Sequence, residues 1–333
     1  MYILGIESSC DETSASISYN REILSNTTVN QVIHREYGGV VPEIASREHL
    51  DLISKVVNLS LIDSKIDIDD IDGIAVTNGP GLKGALMVGV NFAKGLSISK
   101  NIPIVGVNHM EGHLFSNFIN LKEIKYPFLC LLVSGGHTQI WNVKKYRDYN
   151  LISNTIDDAA GEAFDKGARL LGLPYPGGPE IEKMAIGGDI NKFKFPIAKI
   201  KNSEDNFSFS GLKTSLYYLI KNNNEEMILE NKTDIAASYQ ETILNTLIQK
   251  LIFVAEKTQV YDIFISGGVI SNMKFREKID DLNKQKKYNI NCPEMKYCTD
   301  NAAMICMAGY EKMINNMTSN INLEVYPNLL MNQ

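Results

Sequence analysis

YILGIESSCDETSASISYN (2–20) and FLCLLVSGGHTQIWNV (128–143) follow one plan on unlike residues. Each opens on an apolar run, YILGI (2–6) or FLCLLV (128–133), and breaks at small or polar residues. Each then returns in alternation, as SASISYN (14–20) or HTQIWNV (137–143). An apolar run followed by a small-residue turn and a period of two reads as strand, turn, returning strand.

The parallel continues downstream. IDGIAVTNG (71–79), the glycine-rich GPGLKG and ALMVGVNFAKGLSIS read as strand, glycine turn and helix, with a further strand at IPIVGV (102–107). In the second half, DDAAGEAFDKGARLLG (157–172) has a helical pattern that stops at Gly172 before Pro174, and YDIFI (261–265) leads into SGGVISN and a charged helical stretch. A plan that occurs twice predicts two related α/β domains facing one another across a cleft, with the turns at strand ends, where such proteins bind ligands. FKFPIAKIKNSEDNFSFSGLKTS (193–215) looks irregular enough for a lid, and KNNNEEMILENKTD (221–234) for an exposed connection.

Composition narrows the class. The 333 residues exceed what one hydrophobic core supports, so two domains are expected. Lys plus Arg is 33 against 39 for Asp plus Glu, a net charge of −6, so the whole chain has no pull on nucleic acid. Contact with RNA would need a local basic face, such as KFKFPIAKIK (192–201) or MKFREKIDDLNKQKK (273–287), or a basic partner. The five cysteines form no C-x-x-C pair, which suits free thiols in a reducing compartment. The N-terminus has no leader pattern and no apolar run is long enough for a bilayer, so a cytoplasmic location is expected.

HMEGH (109–113) carries two histidines four apart, hence on one face of a helix that Asn108 would cap. Both imidazoles could meet one metal ion, or be unrelated neighbours. A zinc-protease reading fails, because Met110 occupies the general-base position and Glu111 lies roughly 200° around the helix from His109. SGG (134–136) and SGGV (266–269) present backbone N–H groups suited to phosphate oxygens, or to close approach by a nucleoside, although neither is a Walker loop. Glu7, Asp11 and Glu12 crowd the first turn, while Asp165 reads as a helical surface charge and Asp300 as an N-cap or a metal ligand. His34, His49 and His137 have no spacing partner and read as non-ligands.

Taken together and in order, GIESSCDET (5–13), YGGVVPEIASREH (37–49), NGPGLKGALMVG (78–89), NHMEGH (108–113), LLVSGGHTQ (131–139), DDAAGEAFDKGARLLGLPYPGGP (157–179), FSFSGLKT (207–214), SGGVISN (266–272) and CTDNAAM (298–304) resemble the bacterial tRNA N6-adenosine threonylcarbamoyltransferases, the TsaD family. The resemblance runs from residue 1 to about residue 315. It implies an actin-like, Hsp70-like fold of two duplicated RNase H-like domains, here 1–116 plus 299–333 and 117–298. It also implies transfer of a threonylcarbamoyl group from threonylcarbamoyl-adenylate to N6 of adenosine 37 in tRNAs reading codons that start with A, with release of AMP.

By the same resemblance His109, His113 and Asp300 are ligands of one divalent metal, iron(II) or zinc. Leu132, Val133, Ser134, Gly135 and Gly136 match the loop around the acyl phosphate. Asp165 and Gly178 match ribose contacts, Glu182 is a further candidate ribose ligand, and Asn272 matches an adenine-side contact. Asp11 and Glu12 are candidates for the general base. Expected partners are tRNA, a TsaB-type paralogue and a TsaE-type ATPase, with a TsaC-type synthase supplying the adenylate. The alternatives are an actin-like kinase or ATPase and a silent scaffold. The paired histidines speak against the first, since such kinases hold magnesium through carboxylates and water, and the intact HMEGH and CTDN against the second.

Overall fold

A computed structural model describes residues 1–198, 200 and 203–331. Lys199 and Lys201 of the basic run 192–201 lie outside the described residues. The chain divides into two compact units, Met1–Lys125 with Pro293–Gln333, and Tyr126–Cys292.

The first unit contains β1 (Tyr2–Glu7), β2 (Glu12–Tyr19), β3 (Glu22–Asn30), α1 (Pro42–Ser64), β4 (Gly73–Gly79), α2 (Lys83–Lys100), β5 (Ile104–Asn108) and α3 (His109–Phe115). The second contains β6 (Phe128–Val133), β7 (Thr138–Lys145), β8 (Asp148–Asn154), α4 (Ala160–Leu170), α5 (Gly177–Met184), α6 (Ser210–Lys221), α7 (Glu225–Glu230), α8 (Lys232–Thr258), β9 (Asp262–Ser266), α9 (Met273–Lys284) and β10 (Asn289–Asn291). The chain then supplies α10 (Ala302–Ile314) to the first unit.

The sheets repeat one topology. The first has the order β3-β2-β1-β4-β5 and the second, read from its other edge, β8-β7-β6-β9-β10. In each, the first three strands are antiparallel neighbours, and the last two run parallel to the opening strand. Parallel strands covered on both faces read as continuous apolar runs, and all seven residues of β4 and all six of β6 are buried.

In the first unit Leu4, Ile6, Ile17, Ile74 and Val76 pack with Ile53, Val56 and Val57 of α1 and Val90 of α2. Helix α10 approaches close to the strands, since a Cβ on Gly5 would lie 2.5 Å from Ala302 O and one on Gly309 2.3 Å from Ala75 Cβ. The C-terminal segment covers the edge strand β5, where Ser319 N donates to Ile104 O at 2.8 Å, closing backbone groups an edge would otherwise expose.

Two expectations about the second unit are corrected. Within the segment expected as a lid, Phe207 and Phe209 are buried, and Phe207 N donates to Asn154 O while Ile156 N donates to Phe207 O, which anchors the stretch beside β8. Ser210 then begins α6. The connection at 221–234 is exposed over most of its length, as expected, but it is helical: it holds α7 and the start of α8, and Asn224 caps α7, its Oδ1 accepting from Met227 N at 3.0 Å. No helix of the described residues is long and apolar enough to cross a membrane.

Candidate functional site

Two short helices of the first unit meet at the residues that carry charge. Asn108 Oδ1 accepts from Met110 N at 2.9 Å and from Glu111 N at 3.3 Å, capping α3, while its Nδ2 donates to Leu329 O at 3.3 Å. Gly112 allows α3 to press on α10, for a Cβ there would lie 2.8 Å from Ile305 Cδ1. Asn301, not Asp300, caps α10, accepting from Met304 N at 3.1 Å. Asp300 therefore stands outside that helix with its carboxylate toward α3.

The result is a compact set of donors. One ligand atom each from His109, His113 and Asp300 lies within 4.8 Å of the others. Asp300 Oδ1 is 3.5 Å from His109 Nε2 and 3.0 Å from His113 Nε2. Ligands that share one zinc or iron ion at about 2.0–2.2 Å stand roughly 3 Å apart, so the spacing suits a single cation. His113 supplies the fit test. It is fully buried, yet neither ring nitrogen has a hydrogen-bond partner, and Asp300 approaches without hydrogen-bond geometry. A buried imidazole left in this state is costly, and a bound cation would engage its Nε2, the nitrogen that faces Asp300. The buried Glu111 turns away from this group to pair with Lys312 Nζ at 3.1 Å.

Electrostatics favour a cation. Burial works against a charged His109, but the carboxylates of Asp300 and Glu7 outweigh it and hold the imidazole up at about 9. Burial likewise pushes Glu7 up, and the neighbouring His109 outweighs that, leaving its carboxyl below the usual value. Glu12 is raised well above the ordinary carboxylate range, first by burial and then by the charges of Asp300 and Asp11. Crowded buried carboxylates are stabilised by a positive partner. The other buried histidines of this unit have protein partners. His49 contacts Thr13 Oγ1 at 2.8 Å and the Cys10 carbonyl at 3.0 Å, and His34 contacts Gln31 Oε1 at 2.9 Å.

In the second unit the candidate residues collect around backbone. Leu132 and Val133 are fully buried, so their side chains fill the core and offer nothing to a ligand. Ser134 N is taken by the His137 carbonyl at 2.9 Å. Gly135 and Gly136 are exposed, and a Cβ on either would meet no atom within 4 Å. Their surroundings are tight: a Cβ on Gly161 would lie 2.6 Å from Ser134 O, and one on Gly267, whose φ is +96°, would lie 2.3 Å from Val133 O. Only glycine joins a positive φ to so close an approach.

Asp165 Oδ1 accepts from Gly177 N at 2.7 Å, beside the open backbone of Gly178, and burial raises its carboxyl. Glu182 Oε1 accepts from Met273 N at 2.6 Å. The Asn272 side chain is committed at both ends, donating to Gln240 Oε1 at 2.7 Å and accepting from Phe275 N at 3.0 Å to cap α9. Glu182 and Asn272 thus share the entry to α9, while Asp165 and Gly178 share the α4–α5 corner. Sequence patterns gave no sign of Gln240, or of Ser9 and Thr77 in the first unit, whose polar atoms reach these groups; none sits in a motif with a spacing of its own.

The family model described as "tRNA N6-adenosine threonylcarbamoyltransferase" (TsaD) matches residues 22–307. A relative of that name from Thermosipho africanus is 47% identical over 330 residues, 99% of each chain. Another from Clostridium beijerinckii is 47% identical over 334 residues, covering 99% of this chain and 98% of the relative. Among solved structures, full-length HypF in its phosphate- and nucleotide-bound form aligns with TM-score 0.61 at 13% identity, over 94% of this chain and 55% of that one. The ADPNP-bound activator of 2-hydroxyisocaproyl-CoA dehydratase from Clostridium difficile aligns with TM-score 0.52 at 12% identity, over 95% and 97%. These two share the duplicated, actin-like α/β fold. Their low identity limits them to that, whereas the family match and the relatives span nearly the whole chain: it belongs to the TsaD family of tRNA N6-adenosine threonylcarbamoyltransferases.

Proposed function

We propose that this chain transfers the threonylcarbamoyl group from threonylcarbamoyl-adenylate to N6 of adenosine 37 in tRNAs reading codons that start with A, releasing AMP. The observation that carries this reading beyond the family name is the His109–His113–Asp300 group, two buried histidines beside a half-buried carboxylate, with both His113 nitrogens lacking a hydrogen bond. A kinase of the same fold has no use for such a donor set.

In the reaction N6 attacks the carbamoyl carbon, the new N–C bond forms, the bond to the phosphate oxygen breaks, and the amine proton passes to a base. His109, His113 and Asp300 would hold iron(II), or zinc, which when bound supplies a Lewis acid for an acyl oxygen or an anchor for the threonyl part. The open N–H groups of Gly135 and Gly136 hydrogen-bond the phosphate as it takes up charge. The Ser134 amide is engaged and Leu132 and Val133 are core, so those three shape the loop. Asp165 and the backbone at Gly178 take the ribose, Glu182 keeps α9 in register with them, and Asn272 shapes the adenine side. Glu12 or Asp11 accepts the amine proton.

A net charge of −6 fits shared tRNA docking, with a TsaB-type paralogue and a TsaE-type ATPase as partners and a TsaC-type synthase upstream, in the cytoplasm.

The test is transfer itself. The chain, its two partner proteins, unmodified tRNA and threonylcarbamoyl-adenylate are combined, and nucleosides are read by mass spectrometry. One threonylcarbamoyladenosine per AMP released is expected, with none from His109→Ala/His113→Ala. Stoichiometric ATP hydrolysis without tRNA modification would sink the proposal. In single-turnover form, a Glu12→Gln or Asp11→Asn variant should lose about 10²–10⁴-fold if its residue is the base, and near-normal rates in both would remove that role.

A further inference from the structure

The two histidines of α3 are held in different ways. His113 has no hydrogen bond at either ring nitrogen. His109 has its Nδ1 against Glu7 Oε2 at 3.2 Å and Ser9 Oγ at 3.1 Å, while its Nε2 faces Asp300. Glu7 is itself locked: it is 1% exposed, its Oε1 accepts from Ser9 N at 2.6 Å, and its Oε2 also accepts from Thr77 Oγ1 at 2.5 Å. These donors come from the turn after β1 and from β4, two strands paired in the same sheet. The carboxylate is thus a fixture of the sheet rather than a mobile side chain.

An ionised carboxylate only accepts hydrogen bonds. Opposite it, Nδ1 of His109 keeps its proton, so Nε2, on the side of Asp300 and His113, is the nitrogen whose lone pair a cation would take in place of a proton. We infer that Glu7 is a positioning residue, fixing the tautomer and ring orientation of His109 for a cation held with His113 and Asp300. The inference rests on the metal reading above and adds a role that the three-ligand set does not contain. Partners of this kind typically change metal affinity by about 10–100-fold when removed. It also accounts for a glutamate that is almost wholly buried at the end of β1, where the acids that follow, Asp11 and Glu12, are half-buried.

The test uses the full chain, stripped of metal, with Zn(II) as the probe. Glu7→Gln keeps the volume and loses the charge. Its Zn(II) affinity should fall about 10–100-fold, while metal-free thermal melting stays cooperative. Ring-nitrogen NMR of the zinc-loaded wild type should show His109 protonated at Nδ1 with a slowly exchanging proton, and that signature should be lost in Glu7→Gln. A general loosening of the fold would not by itself change a tautomer.

If Glu7→Gln does not fold, Thr77→Val serves in its place, removing one donor to the same oxygen, with a severalfold loss of affinity expected. Zinc affinity within twofold of wild type and unchanged ring signals, in whichever variant folds, would overturn the role given to Glu7. A wild-type chain that binds no zinc would instead sink the metal reading, and this inference with it.

Discussion

The ends of the paired strands in the two units carry opposite kinds of chemistry on one frame. β1 ends on Glu7, a buried carboxylate tied to His109, before Ser-Ser-Cys; after β6, at the matching place, comes Ser-Gly-Gly, with its two glycines open. β4 ends on Gly79, backed by the C-terminal segment through Tyr326 O; after β9 stands Gly267, backed by Val133 O of the next strand. The first unit gathers buried ionisable groups that call for a counter-charge. The second presents backbone with clearance at Gly135 and Gly136. The same scaffold thus offers different chemistry at its strand ends, according to the residue types placed there.

The largest effect expected is on the first unit alone. His113→Ala should abolish tight metal binding and lower transfer by roughly a hundredfold or more, while AMP affinity, measured by calorimetry, stays near wild type. Equal losses in both would break the comparison. The converse experiment is Gly267→Ala. Its Cβ would lie 2.3 Å from Val133 O at a φ of +96°, so a loss of about 1–3 kcal/mol in stability by urea melting is expected, with weaker AMP binding and unchanged metal affinity.

Gly135→Ala sharpens the same point, because a Cβ there meets nothing within 4 Å. Stability should change by no more than about 0.5 kcal/mol, yet AMP should bind several-fold more weakly if the turn is read through its amides. Unchanged binding would place the phosphate elsewhere.

Smaller again is Asn108→Ala, which removes the cap of the helix that carries His109 and His113. A cost of about 1 kcal/mol is expected, together with a modest loss of metal affinity, since the same side chain also reaches Leu329 O.

The smallest is a pH effect. Burial holds His49 below its ordinary value of 6.5, against the Cys10 carbonyl and the charges of Glu7 and Asp11. A depressed histidine stabilises above its unfolded value, and that contribution is lost as pH falls through the folded one. Urea melts taken at successive pH values below 6.5 should therefore fall more steeply for wild type than for His49→Gln. Identical slopes would mean that His49 is not held neutral.

Much of this frame was legible before the structure. Strands buried on both faces, such as β4 and β6, announce themselves as apolar runs, and the turns between them as small residues. EILSNTTVN of β3 is not read as a strand, because it is half-exposed and rich in polar residues, and its place comes from pairing with β2. The 27-residue α8 also escapes: it is buried on several sides in its middle turns and polar at its ends, so no single stripe marks it. In the site, four-residue spacing shows how His109 and His113 share a face, but nothing local indicates that Asp300, 187 positions beyond His113 (300 − 113), joins them. Nor does local pattern show that Asn272 spends its side chain on α9 and Gln240. Periodicity reports the face of an element; which faces meet is a property of the packed core.

One titration tests the central claim most directly. Chain stripped with a chelator is given iron(II) in steps, and threonylcarbamoyladenosine formed with tRNA, adenylate and partners is measured at each step. The account predicts no product without metal and full activity at one ion per chain, with nucleotide binding constant throughout. Full activity in the stripped protein, with the metal shown to be absent, would contradict it.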